Sequence, residues 1–398
     1  MQEVKNPLGY ENVGKLILRF SIPAIASFLV HALYTIVDQI YIGRGFFGYE
    51  GIGELGMGAV HVAFPLVITA TALSLLLGVG TAVNFNLNLG RGNHESAAKT
   101  AGNGLLMMTV CGVVLGGVAF LMSNELLTLF GVTEKIRPYA APYMKILCFG
   151  IPLQVFITGA SKLIRADGAP AYSMICLMSG AVMNIILDPI FIYILDLGMA
   201  GAAVATVISQ LTSCSIALFY LTRKFNSVKF NKSLFAPDFR IMGKICALGA
   251  AACFNQLSLV VVQIAMNNTL RHYGADSIYG SEIPLACVGA ISKINVVFLA
   301  FVIGIAQGCQ PINSFNYGAI SVPQRTYIFC SSLNYRKCIT GSCHLVITIS
   351  DFFKKNPAGD FKVVEVISVP YNLQRIKVKK FYGCLCLRKN IIRPVFIF

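Results

Sequence analysis

Charged residues are scarce in this sequence: they make up 12% of its 398 residues, whereas hydrophobic residues make up 56%. A soluble domain usually carries about 25% charged residues, so most of this chain does not face water. Long apolar runs recur, and each can cross a hydrocarbon core of roughly 30 Å as a helix. Because lipid forces every backbone N–H and C=O to pair within its own segment, we predict an all-α, polytopic membrane protein.

The motifs of common enzyme and metal-binding classes are also missing. No HExxH, GxSxG or Walker pattern occurs, and the five histidines are scattered. Cysteines in apolar runs behave as small hydrophobic residues. The cysteines at 338, 343, 384 and 386 are irregularly spaced. They form no CxxC pair, and such pairs are the usual mark of a zinc site. We therefore expect no enzyme, no metal and no organic cofactor.

Hydropathy predicts eight membrane-spanning helices. No cleavable signal pattern opens the chain, because the first apolar run is too long for a signal-peptide core. With a cytoplasmic N-terminus, the inside segments hold thirteen Lys and Arg residues, Lys162 and Arg165 among them, against four outside. This bias predicts that orientation. The predicted spans are residues 16–42, 54–86, 103–123, 140–163, 172–194, 200–222, 242–268 and 283–312.

The sequence repeats itself at an offset of about 228 residues. Residues 14–17 resemble residues 243–246 at an offset of 229, and residues 88–90 resemble residues 316–318 at an offset of 228. Secondary transporters are commonly built from such repeats, so we predict two parallel six-helix repeats. Only two helices of the second repeat precede residue 319, and we expect that repeat to be incomplete.

This repeat divides the chain into four predicted parts. They are an N-lobe of six helices (1–222), a cytoplasmic linker (223–241), a partial C-lobe of two helices (242–319) and a basic tail (320–398). The tail holds 13 Lys and Arg against 3 Asp and Glu, and no uncharged run of spanning length. It is either a frameshifted or truncated end or an unusual cytoplasmic domain. Since the positive charge is concentrated there, we expect no nucleic-acid partner.

Four ionisable residues fall inside or at the ends of the predicted spans: Asp38, Asp188, Lys145 and Lys293. An ionisable group within a span costs on the order of 2.5–3.5 kcal/mol on insertion scales, which makes each one a functional candidate. The two lysines lie near membrane ends, where long side chains can extend to the interface. The two acids are the stronger candidates.

Each acid has polar companions at helical spacing. His31, Tyr34 and Asp38 follow i, i+3, i+7 spacing and share one face of the first span. Asn184 and Asp188 are four residues apart on the fifth span, and Pro189 interrupts the helix ladder beside the acid. Oxygen ligands of this kind suit a hard cation, and a buried carboxylate suits a proton.

Several segments together resemble the MATE (multidrug and toxic compound extrusion) family of cation-coupled efflux antiporters, over residues 10–319. The resemblance is closest to the prokaryotic, DinF-like branch that carries acids in its N-lobe. The segments that carry it are Ile22-Pro23-Ala24, residues 37–43, Asn184 with Asp188-Pro189, residues 198–203, Gln310-Pro311 and residues 316–319.

The resemblance implies the site, the activity and the location. It implies a monomeric exporter of organic, often cationic, compounds in the plasma membrane, driven by a proton or sodium gradient, with Pro23 as the bend of the first helix. The alternatives are a lipid-linked saccharide flippase, which should bury more than two positive residues in its lumen, and an inactive truncated fragment. The implied coupling-ion site consists of Asp38, Tyr143, Asn184, Asp188 and Thr206.

Overall fold

The computed structural model describes residue 8 and residues 11–46, 49–130, 132, 134–225, 227, 234, 236–275 and 282–319, without the side chains of 13, 44–50, 54, 260 and 263–298. The predicted tail, residues 320–398, lies outside this range. The described elements are α1 (Val13–Arg44), a hairpin of two-residue strands β1 (Gly45–Phe46) and β2 (Tyr49–Glu50), α2 (Glu54–Gly90), α3 (His94–Leu121), α4 (Ser123–Leu129), α5 (Arg137–Ala166), α6 (Pro170–Pro189) with a π-helical turn (Ile190–Ile194), α7 (Gly198–Arg223), α8 (Phe239–Ala275) and α9 (Glu282–Gly318).

Each predicted span coincides with a long helix, so the polytopic helical class is confirmed. Six of these helices, within the part of the chain with described side chains, are long and apolar enough to cross a membrane: α1, α2, α3, α5, α6 with its π turn, and α7. The seventh and eighth predicted spans coincide with α8 and α9, each 37 residues long. The chain is a multi-pass membrane protein.

Several helices extend beyond the spans that hydropathy predicts, and two of these differences affect polar residues. α3 begins at His94, nine residues before the predicted start, because Asn93 caps its polar first turn: Asn93 Oδ1 accepts the Ser96 N–H at 2.9 Å. α5 continues to Ala166, beyond the predicted end at 163. Hydropathy detects apolar composition, so it stops where a helix becomes polar even though the backbone continues.

Small residues allow the helices to approach closely around α5. A Cβ added at Gly78 of α2 would lie 2.6 Å from Gly159 Cα of α5, and one added at Gly104 of α3 would lie 2.2 Å from Thr81 Oγ1. Lipid supplies no hydrophobic drive between helices, so such close contact is what stabilises a bundle in a membrane. α5 contacts α2, α3, α6 and α7, and Leu163 is among its fully buried residues.

The predicted repeat is visible in reciprocal backbone contacts. A Cβ at Gly90 would lie 2.1 Å from the Phe315 carbonyl oxygen, and one at Gly318 would lie 2.3 Å from the Leu87 carbonyl oxygen. Gly90 and Gly318, like Leu87 and Phe315, are 228 residues apart, so each half makes the same contact with the other. This symmetry agrees with two parallel repeats of which the described chain holds only part of the second.

The described residues fall into two compact units. Those within Met1–Val261 and Lys293–Ser331 form the first, and those within Val262–Ser292 and Ser332–Phe398 belong to the second. Most of α8 and the C-terminal two thirds of α9 therefore group with the first six spans. The predicted division into an N-lobe, a linker and a partial C-lobe stays a prediction.

Candidate ion-binding site

Asn184 and Asp188 lie one turn apart on α6 and face the interior. Asp188 is 1% exposed and Asn184 is 4% exposed, and Asn184 Nδ2 donates to Asp188 Oδ1 at 2.9 Å. The other carboxyl oxygen, Asp188 Oδ2, is buried and has no hydrogen-bond donor within the described residues. A buried oxygen without a donor is costly, so this atom is available to a proton or a cation.

Pro189 ends the regular helix directly after the acid. Proline lacks an N–H, so it cannot continue the i→i−4 ladder. The chain continues as a π turn in which the Leu195 N–H bonds to the Ile190 carbonyl at 2.9 Å. Such turns are rare and often occur at functional sites. At Pro23, by contrast, α1 continues as one helix, and Ser27 Oγ donates to the Pro23 carbonyl at 2.8 Å; the bend there stays a prediction.

Asp38 of α1 comes within hydrogen-bonding reach of Asp188, and Tyr143 of α5 completes the group. The two carboxyl groups interact directly, although they lie on helices that are distant in sequence. Tyr143 is 8% exposed and interacts electrostatically with both acids and with Tyr34. Ionised carboxylates only accept hydrogen bonds, so a direct bond between the two carboxyl groups requires a proton, and a bound cation can also bridge them.

The remaining sequence-predicted residues are arranged differently. The Thr206 hydroxyl donates to the Ala202 carbonyl at 3.0 Å, so it is satisfied within α7. His31 is exposed, and its ring contacts Tyr34 with the ring centres 4.9 Å apart. Lys145 is exposed, and the side chain of Lys293 lies outside the described residues. The structure thus brings Asp38, Asn184, Asp188 and Tyr143 together and leaves Thr206 bonded in its own helix.

Two tyrosines near Asp188 were not predicted from the sequence. The Tyr193 hydroxyl donates to the Tyr41 carbonyl, and both tyrosines interact electrostatically with Asp188. Tyr41 follows Asp38 by three residues, so the i, i+3 pattern could have identified it. Tyr193 follows Asp188 by five residues, which on a regular α-helix would turn it off the shared face; the π turn changes that relation.

Two basic residues correct the sequence analysis. Lys162 and Arg165 were counted as cytoplasmic loop residues, yet they lie within the C-terminal end of α5 and are 6% and 3% exposed. Without them the predicted inside segments hold eleven Lys and Arg residues against four outside, so the charge bias persists. Among the side chains that the structure describes, the buried positive residues are these two, and Lys145 is exposed.

Long apolar helices surround a carboxyl pair in which Asp188 is buried and Asp38 is half-buried, and the comparisons show which family this chain resembles. The MatE family model matches residues 23–190. Multidrug export protein MepA of Staphylococcus aureus (strain bovine RF122 / ET3-1) is 24% identical over 305 residues, which are 77% of this chain and 65% of MepA. The chain thus spans about two thirds of the length of this relative.

Solved structures show the same fold. The outward-facing conformation of a multidrug resistance MATE family transporter of the MOP superfamily superposes with a TM-score of 0.75 at 24% identity, covering 89% of this chain and 74% of that one. A MOP superfamily transporter from Pyrococcus furiosus gives the same TM-score, identity and coverage. The resemblance to the MATE family is confirmed.

Proposed function

We propose that this chain acts as a cation-coupled antiporter that exports organic compounds across the plasma membrane, with a proton or sodium ion as the coupling ion. The observation that carries this proposal is the Asp38–Asp188 carboxyl pair, with Asp188 buried and Asp38 half-buried, beside Asn184 and Tyr143. The name of the MepA relative, a multidrug export protein, supports the substrate class. The bias of eleven positive residues against four supports a cytoplasmic N-terminus.

The coupling follows from the charge of the pair. Two carboxylates within hydrogen-bonding reach in a low-dielectric site repel each other when both are ionised. A proton or a sodium ion removes this repulsion and holds α1 against α6. When the ion leaves, the repulsion favours separation of the two helices, so the conformational equilibrium depends on ion occupancy.

The same pair gives a reason for competition between the ion and an organic cation. An empty, ionised pair attracts a positive substrate, whereas an occupied pair is neutralised and does not. The rings of Tyr34 and Tyr143, which interact electrostatically with Asp38, can offer cation–π contacts to such a substrate. Each ion bound therefore favours release of the substrate, which is the exchange that an antiporter performs.

Gradient-driven transport by the purified chain tests this proposal. The chain is reconstituted in liposomes, and movement of a fluorescent organic cation is followed after imposing a pH or sodium gradient. Asp188→Asn is expected to abolish the gradient-dependent part of the signal. Asp196→Asn is the matched control, because Asp196 is exposed and its positive φ of 49° is tolerated by asparagine.

Two results would contradict the proposal. The first is gradient-driven transport that persists in Asp188→Asn. The second is a complete lack of transport by the unsubstituted chain while it binds both the ion and the organic cation. This second result would favour the inactive-fragment alternative and leave the ion site intact.

A further inference from the structure

The C-terminal end of α5 buries two cationic side chains one turn apart, Lys162 and Arg165. Both donate to the same atom, Oε1 of Gln307 on α9, with Arg165 Nη1 at 3.0 Å. Gln307 and these residues of α5 belong to the same compact unit. One neutral amide oxygen thus serves two positive charges.

The other partners of the two cations are also uncharged. Arg165 Nη2 lies 3.4 Å from Ser173 Oγ, and Lys162 Nζ lies 5.6 Å from the centre of the Phe28 ring. Arg165 Nε is buried and has no hydrogen-bond acceptor within the part of the chain that the structure describes. A guanidinium has donors in a fixed fork, so an unused buried N–H points to an acceptor that is missing from these contacts.

No described acid compensates these charges. The ion pairs among the described residues are Arg19–Glu11 and Lys99–Glu95, and neither involves Lys162 or Arg165. The buried acid nearest in sequence, Asp167, binds the Tyr220 hydroxyl at 2.8 Å and the Ser227 N–H at 2.9 Å. Removing a pair of like charges from water without a counter-charge is strongly unfavourable.

A small pocket adjoins the two cations. It has room for about one water-sized particle. One of its lining residues is Asn86, whose Nδ2 donates to the Pro311 carbonyl at 3.4 Å and whose Oδ1 is buried without a donor within the described residues. The pocket is lined by Ala82, Asn86, Lys162, Arg165, Gln307, Gln310, Pro311 and Ser314.

We propose that Lys162 and Arg165 form a binding site for a small monovalent inorganic anion of about the size of chloride, between α5, α2 and α9. Two like charges buried without a counter-charge favour a negative partner, and the side-chain amides of Gln307 and Gln310 can supply further donors. The limited room favours a single-atom ion over phosphate or sulfate. The site lies at the opposite end of α5 from Tyr143, and the inference is independent of the transport function.

Thermal unfolding of the full chain in detergent tests the proposal, with potassium chloride compared with potassium gluconate at equal ionic strength. Chloride is expected to raise the melting temperature in a saturable manner. Lys162→Met should raise the half-saturating chloride concentration at least about tenfold, because it removes a hydrogen bond to a charged group. Lys145→Met, an exposed lysine on the same helix, should leave it unchanged.

A second variant, which adds a negative charge, provides a test that still works if removing one of the two cations impairs folding. Gln307→Glu places a carboxylate where both cations already donate. It should raise the melting temperature in gluconate and remove the response to chloride. The absence of a saturable chloride effect in the unsubstituted chain, an unchanged response in Lys162→Met, or a lower melting temperature of Gln307→Glu in gluconate would overturn the proposal. A response to sulfate but not to chloride would overturn the assigned size.

Discussion

The two ends of α5 lie among ionisable groups of opposite sign. Tyr143 near its start faces the carboxyl pair of Asp38 and Asp188, whereas Lys162 and Arg165 near its C-terminal end face Gln307. The nineteen residues from Tyr143 to Lys162 correspond to roughly 28 Å at 1.5 Å per residue. Each end brings together two ionisable groups of like sign, so each proposed site would be neutralised by an ion of the opposite sign.

The two ends differ in how the surrounding backbone is packed. Near the basic end, α2 and α9 meet through Gly90 and Gly318 at distances that leave no room for a side chain. At the acidic end, α6 leaves the regular helix at Pro189 and continues as a π turn. Tight backbone contact resists displacement, whereas an irregular turn has alternative hydrogen-bond patterns. We therefore expect the helices to move relative to each other at the acidic end. At the basic end, we expect the contact between α2 and α9 to stay fixed.

The largest effect is expected on gradient-driven transport when Asp38 or Asp188 is changed, because the two acids act together. Asp38→Asn should reduce gradient-driven transport to background, and the double variant with Asp188→Asn should show no additional loss. Residues that act through one shared ion are not additive, because either substitution alone removes the repulsion that drives the change. Transport rates of both single variants and the double variant in liposomes measure this. Independent, additive losses would separate the two acids into different sites.

The second-largest effect is expected at the basic end, where α2 and α9 pack closely. Gly90→Ala would place a Cβ 2.1 Å from the Phe315 carbonyl oxygen, so α2 and α9 must move apart. We expect a loss of about 1–3 kcal/mol in the free energy of unfolding. Gly117→Ala is the matched control: this helical glycine has open space around it, and alanine there should be neutral or stabilising. Equal free energies of unfolding for Gly90→Ala and Gly117→Ala would contradict the expectation that the contact between α2 and α9 is fixed.

A smaller effect is expected at Asn184. Asn184→Ala removes the donor that lies 2.9 Å from Asp188 Oδ1 and an amide oxygen beside the pair. The carboxyl pair remains, so the affinity for the coupling ion should fall by about tenfold rather than disappear, which corresponds to one hydrogen bond to a charged group. Sodium binding by the purified variant, followed by calorimetry, measures this. A complete loss of binding would make Asn184 a principal ligand instead of a supporting one.

The sequence predicted the helices well because apolar length is a local signal. Eight runs of spanning length indicated eight long helices, whereas the seven-residue α4 is too short to register as a span. Lys162 and Arg165 were assigned to a loop because charge at the end of an apolar run usually marks the membrane surface. Their partner, Gln307, is about 140 residues away in sequence, so no local pattern indicates their burial.

The site was predictable where its residues share a helix. Asn184 and Asp188 follow i, i+4 spacing, and this pattern alone predicted the contact between them. The meeting of Asp38 with Asp188 depends on how α1 packs against α6, which the sequence indicated only through the family resemblance. Tyr193 was missed because its position depends on the π turn after Pro189, and hydrophobic periodicity assumes a regular helix.

Thr206 gives the smallest expected effect and the sharpest test of the resemblance against the geometry. The resemblance places it in the ion site, whereas its hydroxyl donates to Ala202 within α7 at 3.0 Å. Thr206→Val keeps the shape of the side chain and removes only the hydrogen bond from this hydroxyl to the backbone of its own helix. We expect ion affinity to change by less than about twofold and the free energy of unfolding by less than about 0.5 kcal/mol. Sodium calorimetry alongside Asn184→Ala provides the measurement under identical conditions. A tenfold loss in Thr206→Val would mean that α7 moves during ion binding and brings this hydroxyl to Asp188, and the acidic end would then include a third helix.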